Sequence, residues 1–428
     1  MQATPRSLLT GRSRVTGLIA CALLAATPLL AAPGAAAPVT AGPAPSPPAP
    51  APAVPVAVPA AVSVAVPAAP RVAVPTVVRA DSPGLVWLGR WDVTSARAVT
   101  VNSGSRVLLA FSGPRVTVLF DRRGITAPPQ VYTSLDGGPA VVHAVTTDRL
   151  VLTAPSPGIR HVLELAVKDV DQRAPRWSTP LRSAVAVRGF ALAAGGRLLA
   201  PPAVGTRRIL FLGDSITQGV RLLGRDRGPN GSDGTRAYPA LVASAFRASY
   251  QQVGFGGQGV LIGGGGGVPA AEATLGSVHA GAAADPRFRP DVVVVNQGTN
   301  DRTASPQAFR SAYRAYLSAI RQMYPGATVL AMRPLSGRHA GEVAAAVRAL
   351  EDPAVLDVDT AGWLVPGAHY SDGVHPTAAG HVLVATRLSR LLAARTGWSL
   401  SPVRWTATAP PPVTTPPPGI RPVGVAPQ

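Results

Sequence analysis

Between residues 84 and 200, apolar and polar positions alternate in short runs: Arg106–Phe111, Arg115–Phe120, Gln130–Leu135, Arg149–Thr153 and His161–Val167. Turn signals stand between them, such as Ser112-Gly113-Pro114 and Asp136-Gly137-Gly138. Many short strands at this spacing, with no helical period, predict an all-β sandwich. After Pro201-Pro202 the rhythm changes to strands alternating with helices, over residues 201–400. Arg208–Gly213, Asp291–Asn296, Thr328–Met332 and Val355–Val358 are near-continuous apolar runs, as expected of strands buried on both faces of a parallel sheet. One helix is well marked: Ser305 caps it, Pro306 suits its first turn, and Phe309, Tyr313, Tyr316, Leu317 and Ile320 share one face. Another is predicted from about Thr377 to Ala394. The second half therefore reads as an α/β three-layer domain.

The flanks follow other patterns. Arg6, Arg12 and Arg14 precede an apolar run from Val15 to Leu30, and Ala35-Ala36-Ala37 offers a small-residue cleavage site. Residues 1–37 thus read as a secretory signal peptide. Leu18-Ile19-Ala20-Cys21 also fits a bacterial lipoprotein box, but only about six apolar residues precede Cys21, against the ~7–15 of an h-region. Plain secretion to the outside of a bacterium is the preferred expectation, with anchoring at Cys21 the alternative. Residues 38–83 are dominated by Pro, Ala and Val and predict an extended linker. A Pro-rich tail over 401–428 reads the same way. Cys21 is the only cysteine, so the mature chain must rest on its core rather than on disulfides.

Composition narrows the choice of partner. Forty basic residues against 21 acidic give a formal charge of +19. Nearly all the basic residues are arginines, scattered without a basic run, and no nucleic-acid motif accompanies them. They read as a solvated surface, compatible with cell-wall association.

Four segments carry candidate chemistry. The apolar strand ending in Phe211-Leu212 runs into Gly213-Asp214-Ser215, which presents one hydroxyl at the carboxyl end of a strand. Downstream follow Gly256-Gly257-Gln258-Gly259, Gly298-Thr299-Asn300-Asp301 and Ser371-Asp372-Gly373-Val374-His375-Pro376. An ester carbonyl needs a nucleophile, a base and donors for the oxyanion. Ser215 supplies the hydroxyl, His375 the base, and Asp372, three residues earlier, the carboxylate that orients it. The amides of Ser215 and Gly257 and the side chain of Asn300 are the expected oxyanion donors, with Gly256 or Gly259 as alternatives to Gly257. Asp214 and Asp301 read as structural. Trp363 and Tyr370, just before Asp372, are candidates for stacking on a sugar ring. Gly263–Gly267 reads as a mobile loop near the site. No zinc spacing is visible among the scattered histidines, and no cofactor or metal is expected.

Together these four segments resemble the conserved blocks of the SGNH (GDSL-type) hydrolases over roughly residues 207–395. The resemblance implies a flavodoxin-like three-layer domain and serine esterase activity. A β-rich segment preceding such a domain is similar to the layout of family-two carbohydrate esterases, with weaker support from Arg90-Trp91, Phe111-Ser112-Gly113 and Leu135-Asp136-Gly137. That likeness implies a jelly-roll domain before the catalytic one, and removal of acetyl groups from polysaccharide. The expectation is a monomeric esterase acting on acylated carbohydrate or another small acyl ester. A lipase-like or envelope acyltransferase activity at the same site, or an inactive glycan-binding protein, are the alternatives.

Overall fold

The computed structural model describes residue 42 and residues 74–402 except 157. The expected signal peptide, most of the expected linker and nearly all of the tail lie outside the described residues. Two antiparallel sheets of six strands each make up the first half. One sheet runs Asp92–Val93, Ala98–Thr100, Val185–Leu192, Arg115–Phe120, Arg149–Thr153, with Thr76–Arg79 also paired to Val185–Leu192. The other runs Arg197–Leu198, Arg106–Ser112, Arg160–Asp169, Gln130–Leu135, Val141–Ala144, with Leu85–Leu88 on Arg106–Ser112. Val107, Leu109 and Phe111 meet Val116, Val118 and Phe120 in the shared core. Thr76–Arg79 corrects the expected linker boundary at residue 83. Its Thr-Val-Val sequence has strand character, and its pairing with Val185–Leu192 draws it into the sheet.

The second half holds a five-stranded parallel sheet in the order Ser249–Gly254, Arg208–Gly213, Val292–Asn296, Thr328–Met332, Val355–Val358. Numbered along the chain this is 2-1-3-4-5, the flavodoxin-like order. Alternate residues of each strand face separate cores. Leu210, Leu212, Val293 and Val295 pack with Phe309, Tyr313, Tyr316, Leu317 and Ile320 of the Pro306–Met323 helix. Ile209, Phe211, Val292 and Val294 pack with the Tyr238–Ala245 and Ala378–Thr396 helices. Ser305 accepts from the Ala308 amide at 3.2 Å, and Thr377 caps the last helix through Gly380 at 3.2 Å. The helices that follow Arg208–Gly213 and Val292–Asn296 lie on opposite faces of the sheet, and that reversal opens a crevice at the carboxyl ends of these two adjacent strands.

The halves belong to one packed unit. Their contact is strongly polar. Arg90 of the sandwich is buried in the α/β half, where it donates to Gln251 Oε1 at 2.9 Å and to the carbonyls of Thr274, Leu275 and Ser277 at 2.7–3.0 Å. Burial pulls its pKa down from the ordinary arginine value. The Tyr250 hydroxyl donates to Gly104 O at 3.1 Å, and that of Tyr132 to Asp233 at 3.0 Å. Lys168 reaches the carbonyls of Pro229 and Ser232. Replacing Arg90 by Ala strands four acceptors in a buried interface, which should cost about 3 kcal/mol. Chemical denaturation of Arg90→Ala should show an earlier midpoint; an unchanged midpoint would mean that this arginine does not hold the halves together.

Candidate active site

Ser215 opens a one-turn helix, Ser215–Gln218, directly after the Arg208–Gly213 strand. Gly213 is required there, since a Cβ would lie 2.9 Å from Asn296 O and closer still to Thr217. Asp214 caps the turn, its Oδ1 accepting from the Ile216 amide at 2.8 Å. Its carboxyl is fully buried, which pushes its pKa up to about 7. Asp301 is likewise occupied by backbone, accepting from Val260 and Leu261 at 2.9 Å each.

His375 lies 160 residues downstream, yet its Nε2 stands 2.9 Å from Ser215 Oγ. Its Nδ1 is 2.9 and 3.0 Å from the two oxygens of Asp372. The Asp-x-x-His loop closes on itself, because Asp372 Oδ1 also accepts the His375 amide at 2.9 Å and that of Val374 at 3.2 Å. Arg221 adds a salt bridge to Asp372 Oδ2. Burial alone would raise the Asp372 carboxyl, but the His375 amide and ring and the Arg221 guanidinium together hold it well below the usual carboxylate range. Desolvation lowers the His375 pKa, Asp372 opposes that, and Arg221 and Arg227 reinforce it; the net shift is downward.

These groups open into a cleft of about 380 Å³, also lined by Gly256, Gly257 and Asn300. The three candidate glycines separate cleanly. The Gly256 amide donates to Gln218 Oε1 at 3.0 Å and that of Gly259 to Ile262 O at 3.0 Å, whereas the Gly257 amide has no partner among the described residues. Gly257 also sits at φ +78°, left-handed backbone that favours glycine. Asn300 uses one amide hydrogen on Gln258 O at 2.9 Å, which leaves the second for a ligand.

Two expectations need correction. Trp363 and Tyr370 do not line the cleft; both pack against the core beside the last helix, and the Tyr370 hydroxyl donates to Leu335 O at 2.9 Å. Apolar burial claims the rings that sequence placed near the triad. The Gly263–Gly267 stretch is pinned rather than loose. Gly265 donates to Gly256 O at 2.7 Å, Gly266 O accepts from Arg176 at 2.9 Å, and Gly265 and Gly266 form part of the cleft wall. Glycine serves there for close approach to the sandwich: a Cβ on Gly266 would lie 2.9 Å from the Arg176 side chain and closer still to the Ala174 carbonyl.

Sequence reasoning missed several contributors, Arg227 and Arg302 of the cleft wall among them. Arg221 and Gln218 follow Ser215 closely but carry no motif of their own. Gln172 and Arg173 come from the sandwich, so only the three-dimensional packing brings them to the cleft.

An open sheet of this order, with a Ser-His-Asp relay and an Asn and a Gly facing the serine, defines an SGNH-type hydrolase domain. Residues 211–383 match the GDSL-like Lipase/Acylhydrolase family, and the chain carries a domain of that family. A cellulase/esterase, CelE, of Acetivibrio thermocellus is 26% identical over 344 residues, covering 74% of this chain and 40% of that protein. An acetylxylan esterase / glucomannan deacetylase of Cellvibrio japonicus is 28% identical over 149 residues, 32% of this chain and 42% of that protein. This chain thus spans less than half of either relative. Among solved structures, a family two carbohydrate esterase from Clostridium thermocellum in complex with cellohexaose matches at TM-score 0.62 and 26% identity, over 74% of this chain and 100% of that one. A family two carbohydrate esterase from Cellvibrio japonicus matches at TM-score 0.65 and 19% identity, over 76% and 99%.

The raised Asp214 carboxyl has a consequence for stability. Its folded pKa of about 7 lies above the ordinary 3.8, so the unfolded chain ionises first and folding becomes costlier as pH climbs between those values. Asp214→Asn keeps the capping oxygen and removes the titration. Its unfolding free energy relative to the parent should therefore rise as pH goes from 3.8 to about 7; a difference that stays flat with pH would refute the assignment.

Proposed function

We propose that this chain is a secreted bacterial serine esterase that cleaves short acyl esters, O-acetyl groups above all, from carbohydrate. The observation that carries the reading is the continuous relay, 2.9 Å from Ser215 Oγ to His375 Nε2 and 2.9 Å from His375 Nδ1 to Asp372. Ser215 Oγ attacks the acyl carbonyl while His375 Nε2 takes its proton. The resulting oxyanion is held by the amides of Ser215 and Gly257 and by Asn300 Nδ2. Collapse expels the sugar alkoxide, which receives the proton back from His375, and leaves an acyl-enzyme at Ser215. Water, deprotonated by the same imidazole, then releases the acid.

Asp372 stays ionised throughout, since it is held so far below neutrality. It fixes the imidazole tautomer and stabilises the imidazolium. The carbohydrate assignment rests on relatives described as a cellulase/esterase and an acetylxylan esterase / glucomannan deacetylase. The sandwich, which we take to be jelly-roll-like, contributes Gln172 and Arg173 as one wall of the cleft.

Acetate release from acetylated xylan, acetylated glucomannan and p-nitrophenyl acetate tests the reading. Ser215→Ala and His375→Ala should each lower kcat by ~10³-fold or more, with Asp372→Asn retaining more activity than either. Undiminished turnover by Ser215→Ala would sink the mechanism. Release that requires an added acceptor alcohol would move the activity to acyl transfer.

The neutral imidazole is the working base, so activity falls as pH drops through the His375 pKa. That acid limb should have its midpoint below 6.5. Arg221→Gln removes a cation that disfavours the imidazolium, so its limb should move to higher pH; a limb that stays in place would remove Arg221 from the electrostatics of the relay.

A further inference from the structure

The walls of the cleft are cationic, and among the described residues that line it there is no Phe, Tyr or Trp. Three arginines line it, Arg173, Arg227 and Arg302, together with a single acid, Asp372. That acid is already engaged by His375 and Arg221. Arg173 is balanced by its own sandwich neighbour, Asp171, at 2.7 and 3.0 Å. Arg227 and Arg302 differ: both are exposed, and neither guanidinium has a hydrogen-bond or ion-pair partner among the described residues.

Their positions are fixed by backbone rather than by side chain. Gln172 Nε2 donates to Arg227 O at 3.2 Å, so the sandwich holds that loop against the cleft. The Arg302 amide donates to Asn300 O at 2.8 Å, which ties this residue to the asparagine facing Ser215. Two unneutralised guanidiniums therefore flank the nucleophile from separate loops, on arginine's planar five-donor fork suited to carboxylate and phosphate. A neutral sugar ring would find no stacking platform among the lining residues.

We infer that the preferred substrate is an anionic glycan, an acylated polysaccharide carrying a carboxylate or phosphate beside the scissile ester, bound by Arg227 and Arg302. The inference rests on the esterase reading above and narrows its substrate. A cleft lined by one sign of charge raises the encounter rate of an oppositely charged substrate, and added salt screens the advantage.

The test compares acetate release from three polymers: acetylated polygalacturonate, an acetylated glucan phosphate and neutral acetylated glucomannan. Each is measured at low and high ionic strength, with p-nitrophenyl acetate and Ser215→Ala as controls. The parent protein should show kcat/KM at least ~10-fold higher on one of the anionic polymers than on glucomannan at low salt, shrinking as salt rises. The carboxylate and phosphate arms identify which anion is read. In the Arg227→Gln/Arg302→Gln double variant, the anionic-to-neutral ratio should fall toward one and lose its salt dependence. Both residues are exposed, so the variant should fold, and the ratio is independent of its absolute activity. Equal or better turnover of glucomannan, or a ratio that the double substitution leaves in place, would overturn the inference while keeping the esterase. Ser215-dependent turnover of the small ester with no release from any polymer would overturn the carbohydrate reading itself.

Discussion

One buried side-chain amide joins the turn that carries Ser215, the Gly256–Gly259 segment and the sandwich. Gln218 ends the single helical turn that Ser215 begins. Its Oε1 accepts from the Gly256 amide and from Arg176 Nη2, both at 3.0 Å. Its Nε2 donates to Asp169 Oδ1 at 2.9 Å and to Val170 O at 3.1 Å. Asp169, Val170 and Arg176 all belong to the sandwich half. Occupying the Gly256 amide in this way leaves the next one, at Gly257, to face the cleft. The backbone of this glycine segment is therefore held from across the interface, by a residue that does not itself line the cleft.

Such an arrangement is costly to build and correspondingly hard to alter. Burial pushes Asp169 up to about 6 despite hydrogen bonds from Gln218 and Ser103, and lowers Arg176 to about 10 despite the nearby carboxylates of Asp169 and Asp171. Partners offset only part of that cost, since Asp169 Oδ2 and Arg176 Nε and Nη1 are buried without a hydrogen-bond partner among the described residues, and removing Gln218 would strand more. Arg90 repeats the principle a short way along the same interface, with four acceptors around one guanidinium. An interface of this kind specifies one docking geometry, because few of its groups can be satisfied in another. The sandwich accordingly supplies part of the wall of the candidate cleft, and Gln172 and Arg173 stand there because Arg176 and Arg90 hold the halves in register.

How much of this was legible depended on whether local sequence or interdomain packing decided each residue. The Pro306–Met323 helix was readable from its cap and one-sided apolar stripe, because its other face meets water. The Val292–Asn296 strand was readable because both its faces are buried and its sequence is simply apolar. Ser249–Gly254 escaped notice: Gln251 and Gln252 look like surface residues, yet they are buried where the sandwich arrives, with Gln251 taking the Arg90 bond. The Tyr238–Ala245 helix is buried on nearly every side and so lacks the polar face that marks a helix. At the site, Ser215, Asp372 and His375 could be placed together because two short loops carry them. Choosing among three glycines required knowing which amides were already spent, and that is decided by Gln218 and Ile262 rather than by the glycine segment itself.

The charge pattern around the relay has a single logic. Asp372 favours the imidazolium that forms when Ser215 gives up its proton, whereas Arg221 and Arg227 disfavour it in the resting state. Burial is the largest contribution on the second side, and the balance favours the neutral imidazole. In the proposed reaction negative charge would grow on the acyl oxygen as the imidazolium forms, and the cations that weighed against the base would then face a compensating anion. In the proposed reaction the same positive surroundings would keep His375 unprotonated at rest, favour the tetrahedral oxyanion and draw an anionic chain into the cleft. Asp372 can remain a carboxylate amid all this because Arg221 and the His375 and Val374 amides already satisfy it, so that it orients the ring without taking the proton.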